Sequence, residues 1–541
     1  MNRAPGAVRD TEHTAAGPAS AAAVPLPALL RTRAADTPGE VFIRDTARGD
    51  VTYGRFEDLV LAWRGILHAA GVRPGDRVVT MFPTGPEALA VWMAVARLGA
   101  VEVPLNTAYH GPVLAGVVAD AAPAAAVVHR QWADRFAPAE VPLPAGLPVL
   151  PGGAAPAAPG EPGPETPSEP GPAEPDLFEH SLATVVYTSG TTGRSKGVLI
   201  PWRQLERSAR WCIPLDEAGP DDHWYVPLPL FHVSGKLSVY AAALTGAQVV
   251  TRDGFSTSGF WPDVRAYGCT TALLPGSAAR YLESVPPAPD DADNPLRNVF
   301  VAPFPRDRDA FAARFGVRLT TAFNMTEVSC PVVSGWELGP EGSCGRVRPG
   351  AQIRIVDEND HELPDGETGE LVVRTDSPWE MTTGYLGAPE ATVGVWRNLW
   401  FHTGDRCRKD ADGWVYFVDR AGDAIRRRGE NICSTDVEAA LGGHPAVAEA
   451  AVIGVPSEWG EHDVKAYVVP RPGHRPEAAP GGLAADIAAF AEERLPRFMV
   501  PRYIQVVDDL PRTHTQRVRK AELRERTGRD DRPGRFHDRG R

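Results

Sequence analysis

A glycine- and hydroxyl-rich stretch between two apolar runs constrains this chain more than any other feature. It reads YTSGTTGRSKG from Tyr187 to Gly197, with three glycines, five serine or threonine residues and two cations. Strand-like apolar residues precede it at 183–186 and follow it at 198–200. Glycine lets successive backbone N–H groups turn toward one anion, and the hydroxyls and cations add donors and charge. The stretch therefore predicts a loop that holds a polyphosphate.

The spacing of this loop differs from that of the Walker A loop, G-x-x-x-x-G-K-[ST]. Counted from Gly190, Ser195 stands where the second glycine would be. A polar surface hairpin that binds nothing is the alternative that these residues leave open.

The pattern T-S-G-T-T-G-x-x-K-G resembles the phosphate loop of the adenylate-forming superfamily, which includes acyl- and aryl-CoA synthetases, peptide-synthetase adenylation domains and firefly luciferase. Further phrases resemble the same family: GVRPGDRV at 71–78, RLGAVEVPLN at 97–106, and the stretches 366–374 and 385–392. The resemblance covers about residues 25–522. It implies a large N-terminal α/β domain with mixed sheets covered by helices, and a small α+β C-terminal domain joined by a hinge.

The resemblance also implies a set of nucleotide-binding residues. These are Thr188, Ser189, Gly190, Thr191, Thr192, Gly193, Lys196, Val301, Ala302, Pro303, Phe323, Asn324, Asp405 and Arg420. The adenine-stacking turn departs from the family's GGAP and reads VAPFP at 301–305. Phe323-Asn324 likewise replaces the usual Tyr-Gly. The carboxylate in WFHTGD is expected to accept the ribose hydroxyls, with a plain Asx-turn as the alternative.

The stretch TTAFNMTE at 320–327 resembles the family's Y-G-x-T-E element. There the threonine, here Thr326, contacts the α-phosphate, and the glutamate, here Glu327, binds Mg²⁺. A helix-capping Thr-Glu pair is the alternative. PLFHVSG at 229–235 resembles the element whose histidine, here His232, lies near the acyl pocket and the thiol tunnel. A packed core histidine is the other interpretation.

The last third of the chain resembles the family's mobile part. Arg420 ends a DR pair, and the hinge falls two residues later at Gly422. The thiol-acceptor loop corresponds to Gly429, Glu430 and Asn431. The closing loop, LPRTHTQR at 510–517, carries Gln516 and Arg517 where the family has Gly-Lys. Arg517 keeps the charge of the catalytic lysine in a broader, planar group, and Lys520 is the alternative source of that charge.

Composition narrows the class of protein. The 541 residues carry a formal net charge of −13, which disfavours non-specific nucleic-acid binding. The six cysteines form no C-x-x-C pair, so neither a zinc site nor a disulfide framework is indicated. The N-terminus lacks an apolar secretory core, and Arg97 and Glu102 interrupt the most apolar stretch, Glu87 to Leu105. We expect a cytoplasmic protein with no membrane span.

We expect domains at 25–420 and 423–525, with disorder at 1–22, in a proline-rich insertion at 151–175, and after residue 525. The predicted cofactors are ATP and Mg²⁺, and the predicted partner is a small acid. The favoured activity is acid–CoA ligation. Two alternatives stay open: adenylation of nitrite for diazotisation of an aromatic amine, and a non-catalytic nucleotide-binding homologue, which the loss of the lysine suggests. The sequence predicts neither the acid nor the acceptor. It also leaves the oligomeric state open, with a dimer as one alternative.

Overall fold

The computed structural model describes residues 23–109, 111–137, 146–153, 173–188, 196–305, 307–420, 425–427, 430–432, 434–457, 462–474, 482–495, 497, 499–513, 516–526 and 536–539. The helices in these ranges are α1 (Leu26–Asp36), α2 (Tyr53–Ala69), α3 (Pro86–Arg97), α4 (Gly111–Ala121), α5 (Trp202–Cys212), α6 (Val233–Thr245), α7 (Thr257–Ala266), α8 (Gly276–Ser284), α9 (Arg308–Phe315), α10 (Pro389–Val395), α11 (Ser434–Gly442), α12 (Leu483–Arg494) and α13 (Lys520–Glu525).

The strands before residue 330 are β1 (Val41–Asp45), β2 (Gly49–Thr52), β3 (Arg77–Met81), β4 (Val101–Pro104), β5 (Ala125–His129), β6 (Val149–Gly152), β7 (Leu182–Thr188), β8 (Lys196–Pro201), β9 (His223–Val226), β10 (Gln248–Thr251), β11 (Thr271–Pro275), β12 (Asn298–Ala302), β13 (Arg318–Thr320), β14 (Ala322–Met325) and β15 (Ser329–Val333). Those after it are β16 (Ser343–Val347), β17 (Ala351–Val356), β18 (Thr368–Thr375), β19 (Trp396–Arg397), β20 (Trp400–Lys409), β21 (Val415–Arg420), β22 (Ile425–Arg427), β23 (Glu430–Ile432), β24 (Val447–Pro456), β25 (His462–Pro470), β26 (Tyr503–Val506) and β27 (Phe536–Asp538).

Two mostly parallel sheets form the first part of the described chain. One has the strand order β6-β5-β3-β4-β7-β8, and the other has the order β13-β12-β11-β9-β10-β1-β2. Only the edge pairs β7–β8 and β1–β2 are antiparallel in these two sheets, as far as the described residues show. A third sheet, in the order β14-β15-β16-β21-β20-β18-β17, is antiparallel. This is the predicted large α/β domain with mixed sheets.

Helices α3 and α6 lie inside the N-terminal domain and are buried along nearly their whole length. Leu89, Trp92 and Val95 of α3 share one core cluster with Leu237 and Tyr240 of α6. A helix that is apolar on all sides must be covered on all sides. This explains the most apolar stretch of the sequence, and no described helix is long and apolar enough to cross a bilayer.

A buried ion pair joins these helices to the first sheet. The Lys236 ammonium, 0% exposed, lies 2.5 Å from Oε2 of Glu102 on β4 and 3.6 Å above the centre of the Trp92 ring. The Thr80 hydroxyl donates to Oε1 of Glu102 at 2.8 Å. Burial lowers the pKa of Lys236, and the adjacent carboxylate opposes that shift. The pair satisfies two charges that neither element could bury alone.

The C-terminal domain has its own core. Its four-stranded sheet has the order β24-β25-β26-β27, and every member of its main core cluster, from Ile425 to Val506, lies beyond β21. The expectation of disorder after residue 525 is wrong for β27. Phe536 pairs with Gln505 of β26. The segment is held by two ion pairs: Asp538 lies 3.6 Å from Arg502, and Arg539 lies 2.5 Å from Glu492 of α12.

The predicted proline-rich insertion is fixed at both described ends. Pro151 and Gly152 belong to β6, and the Glu174 carboxylate accepts from Arg97 Nε at 2.8 Å. An arginine buried at the end of α3 needs such a carboxylate, which keeps Glu174 in place. Residues 154–172 lie outside the described residues, as do residues 1–22.

We expect Glu102→Gln to lower the free energy of unfolding by about 3–5 kcal/mol, because it leaves a buried ammonium without its counter-charge. Urea unfolding followed by tryptophan fluorescence measures the change. Glu217→Gln is the matched control, since Glu217 pairs with Arg318 on the surface, and its unfolding curve should match that of wild type. Equal stability of all three proteins would contradict a structural role for the Lys236–Glu102 pair.

Candidate active site

The ends of the predicted phosphate loop are held by an antiparallel pair. Thr188 closes β7, Lys196 opens β8, and the two residues are paired in register. Residues 189–195, including the predicted Ser189, Gly190, Thr191, Thr192 and Gly193, lie outside the described residues. The Lys196 side chain is half-buried, and its Nζ lies 5.0 Å from the centre of the Tyr385 ring. A cation at this distance from an aromatic face is attracted to it, so Lys196 has a defined position.

Tyr385 connects this lysine to the predicted metal ligand. Its hydroxyl donates to Oε1 of Glu327 at 3.0 Å, and both residues are buried. The backbone next to Tyr385 runs along β8, where Leu386 N–H donates to the Gly197 carbonyl at 2.8 Å. The strand ends that flank the predicted phosphate loop, the 385 segment and Glu327 therefore meet at one place, although almost two hundred residues separate the ends of this set.

Glu327 lies in a hairpin turn between β14 and β15, and no described helix begins there. The helix-cap interpretation of Thr326-Glu327 is therefore wrong. Two backbone carbonyls fix the turn: that of Thr326 accepts from Gln204 Nε2 at 2.7 Å, and that of Glu327 accepts from Thr382 N–H at 2.8 Å. The turn thus holds a carboxylate that is 5% exposed in a fixed direction.

The side chains of the other predicted contacts in this region are divided between core and surface. Phe323 is 7% exposed and packs in the core of the third sheet, and Val301 is fully buried. Asn324 and Pro303 are exposed, and Ala302 is half-buried. Only the backbone of Phe323 and Val301 is therefore suited to meet a nucleotide. Asn324 lies in the extended strand β14, which accommodates the side chain that replaces the family's glycine.

Asp405 lies in the middle of β20, directly opposite Arg420 of β21 in the strand register. It is 3% exposed, and its position inside a paired strand excludes the Asx-turn interpretation. The Thr403 hydroxyl accepts from Asp405 N–H at 3.1 Å and donates to the Leu371 carbonyl at 2.6 Å. The structure therefore brings together the two residues predicted to bind one ribose.

His232 occupies the N-cap position of α6 and is half-buried, with its ring 4.8 Å from that of Phe231. Gly235 in the first turn of this helix explains the glycine of the motif. A Cβ at that position would lie 2.4 Å from the Pro229 carbonyl oxygen, a distance that no side chain tolerates. The tight approach fixes His232 at the start of the helix.

The closing loop forms a hairpin on the C-terminal domain. Arg517 N–H donates to the Thr513 hydroxyl at 3.1 Å, and Thr513 N–H donates to the Arg517 carbonyl at 2.7 Å. The Arg517 side chain is exposed, and Gln516 has φ of +61°, a conformation that normally favours glycine. Lys520 is 2.6 Å from the Ser434 hydroxyl and 2.9 Å from Glu438 of α11. Both partners of Lys520 belong to the C-terminal domain, so its ammonium is already paired there. Arg517 is therefore the better candidate for the catalytic charge.

The predicted thiol-acceptor loop coincides with the turn between β22 and β23, in which Arg427 pairs with Glu430. Gly429 and the predicted hinge Gly422 lie outside the described residues, and only the backbone of Glu430 and Asn431 is described. Arg427 anchors this hairpin, since it donates to the Val500 carbonyl at 2.9 Å.

Sequence analysis missed Tyr385, Gln204 and Thr382 as parts of the site. The family phrase beginning at residue 385 marks the region but assigns Tyr385 no role. Gln204 and Thr382 act through the backbone of a distant turn, and no local pattern reports such a contact.

Family models of known proteins match most of the chain. A family model described as AMP-binding enzyme matches residues 30–386, and one described as AMP-binding enzyme C-terminal domain matches residues 436–517. A crotonobetaine/carnitine–CoA ligase of Salmonella paratyphi C is 29% identical over 491 residues, which are 87% of this chain and 93% of that protein.

Solved structures are similar over nearly the whole chain. ATP-bound MatB from Rhodopseudomonas palustris has a TM-score of 0.80 at 26% identity, covering 92% of this chain and 98% of that one. The O-succinylbenzoate coenzyme A synthetase MenE from Bacillus subtilis, in complex with AMP, has a TM-score of 0.78 at 24% identity, covering 94% and 98%. The second likeness concerns the fold alone.

We expect Asp405→Asn to weaken AMP binding by about tenfold or more, because a charge-assisted hydrogen bond contributes about 1.5–3 kcal/mol. Titration calorimetry with AMP measures this without any acid substrate. Asp365→Asn is the matched control, because Asp365 is exposed and pairs with Lys409 at the far end of the same strand. If Asp405→Asn binds AMP as tightly as wild type does, Asp405 does not contact the nucleotide.

Proposed function

Because the chain belongs to the AMP-binding enzyme family, we propose that it is an ATP-dependent, AMP-forming ligase that joins a small organic acid to CoA. The observation that carries this proposal is the meeting of Lys196, Tyr385 and Glu327 beside the phosphate loop. The relatives, which include a crotonobetaine/carnitine–CoA ligase, and the likeness to ATP-bound MatB favour this activity over nitrite adenylation and over a non-catalytic role.

The proposed reaction has two steps. A carboxylate oxygen of the acid attacks the α-phosphorus of ATP, the bond to the β-phosphate oxygen breaks, and pyrophosphate leaves. The CoA sulfur, having lost its proton, then attacks the acyl carbon of the adenylate, and the carbon–oxygen bond to AMP breaks. In this scheme Thr326 and Lys196 contact phosphate oxygens, Asp405 and Arg420 hold the ribose, and His232 borders the acyl pocket.

The described residues fit a magnesium ion bound together with ATP. They contain no group of three or more metal-ligating side chains. Mg²⁺ in nucleotide sites is held by one or two carboxylates and by the substrate's phosphates, and the buried Glu327 carboxylate supplies such a ligand. When bound, the ion would neutralise charge on the leaving pyrophosphate.

The division of labour between the domains belongs to the same proposal. The separate core beyond β21 supports a boundary at residues 420–423, with Gly422 as the hinge. Movement about this hinge would carry Arg517 to the phosphates for adenylation and the 429–431 turn to the pantetheine arm for thiol transfer. A cytoplasmic location, where both ATP and CoA are available, follows from these substrates.

A screen of pyrophosphate release over aliphatic acids, aromatic acids and nitrite tests the proposed function. We expect release with at least one carboxylic acid, formation of its CoA thioester when CoA is added, and no release with nitrite. Release with nitrite alone, or none with any acid although ATP binds, would contradict the proposal.

Arg517→Ala should slow adenylate formation about 10²–10³-fold, because it removes a charge that stabilises the departing pyrophosphate. Arg517→Lys should retain activity, since it keeps a cation at that position. Arg519→Ala is the control, as Arg519 is a neighbouring exposed arginine paired with Glu522. Wild-type rates of pyrophosphate release in Arg517→Ala would show that the closing loop does not enter the active site.

A further inference from the structure

A buried carboxylate that no catalytic role explains lies behind the Glu327 turn. Glu380 is 3% exposed and is contacted by three arginines. Its Oε1 lies 2.9 Å from Arg207 Nε and 3.6 Å from Arg203 Nε, and its Oε2 lies 2.8 Å from Arg348 Nη2. All three arginine side chains are at most 6% exposed. Buried ion networks of this kind contribute little net stability compared with apolar packing. The importance of the network around Glu380 therefore depends on which elements it connects.

Each arginine of the network belongs to an element that supports the site. Arg203 and Arg207 lie on α5, which follows β8 directly and therefore follows the phosphate loop. The same helix carries Gln204, whose amide holds the Thr326 carbonyl. Arg348 also donates through Nε to the Cys330 carbonyl at 3.0 Å, on the strand that leaves the Glu327 turn. The elements of the network thus contact the backbone on both sides of the Glu327 turn, at Thr326 and at Cys330.

Glu380 itself begins the segment that carries Tyr385. Two residues on, Thr382 N–H donates to the Glu327 carbonyl, and its hydroxyl donates to the Leu199 carbonyl of β8 at 2.9 Å. Tyr385 then donates to the Glu327 carboxylate. These two contacts with Glu327 therefore come from residues that lie two and five positions after Glu380.

We propose that Glu380, held by Arg207 and Arg348, is a positioning residue that fixes the Glu327 carboxylate for the metal bound with ATP. The proposal rests on the proposed function, because it assigns a metal to Glu327. Glu380 acts through Thr382 and Tyr385 and does not touch the substrate. Loss of its charge frees the 380s segment to shift, so Glu327 no longer meets the ion in the required direction.

The test compares ATP binding with Mg²⁺ and with EDTA by titration calorimetry, in wild type and in Glu380→Gln. We expect the gain in ATP affinity on adding Mg²⁺ to fall by about tenfold or more in the variant, the usual loss when a partner of a metal ligand is removed. Affinity for AMP, which needs Asp405 but no metal, should stay within about twofold.

Glu57→Gln is the matched control. Its carboxylate also accepts from a buried arginine, Arg97, but this arginine is the last residue of α3, and no described contact joins it to the Glu327 turn. This variant should lose thermal stability and keep the full Mg²⁺ effect on ATP binding. If Glu380→Gln behaves in the same way, with a lowered melting temperature and an unchanged Mg²⁺ effect, the residue is merely structural and the proposal is overturned.

Two milder variants keep the test decisive if Glu380→Gln does not fold. Arg348→Lys and Arg207→Lys retain the charge but lose the planar fork, and either should reduce the Mg²⁺ effect while AMP affinity holds. An undiminished effect in both folded proteins overturns the proposal. If Mg²⁺ leaves ATP affinity unchanged in wild type, the proposed function fails and the positioning role fails with it. If Mg²⁺ raises ATP affinity in wild type and equally in all variants, only the positioning role of Glu380 is contradicted.

Discussion

The hydrogen bond from the Tyr385 hydroxyl to the Glu327 carboxylate is the contact around which the site is assembled. It joins the antiparallel third sheet to the edge of the first sheet, where β8 carries Lys196. The Glu327 carboxylate accepts from the hydroxyl of Tyr385, and the Lys196 ammonium lies over the ring of the same residue. The tyrosine thus places a carboxylate and an ammonium in one region, and these are the two kinds of charge that a ligand bringing phosphates and a cation would need.

Two of the buried ion networks in this domain have different consequences. Lys236 and Glu102 satisfy each other in the layer between the two parallel sheets, where they fix helix α6 and hence the start of the helix at His232. Glu380 and its arginines lie beside the Glu327 turn and connect elements that carry predicted site residues. Because buried ions cost desolvation, both sets restrict how the surrounding elements can move.

The sequence predicts the fold class, which the structure confirms, and its local motifs predict site residues whose roles stay predictions. The structure places some of these motif residues together: Asp405 and Arg420 are register partners, and Thr188 and Lys196 close one strand pair. The sequence does not predict contacts made through backbone carbonyls, such as the one from Gln204 to Thr326. Every residue has a backbone carbonyl, so the residue type does not show which carbonyl will be used. Nor does the sequence predict β27, since a short charged segment becomes a strand only when Arg539 and Asp538 find partners on another element.

The central claim is that an acid oxygen attacks the α-phosphorus to form an adenylate. The most direct measurement uses ¹⁸O-labelled acid, chosen as the acid that gives the most pyrophosphate, with ATP and CoA, and analyses the products by mass spectrometry. The account predicts that AMP acquires one labelled oxygen from each acid molecule consumed, with label-free pyrophosphate beside it. Unlabelled AMP, or label in inorganic phosphate together with ADP, would contradict it.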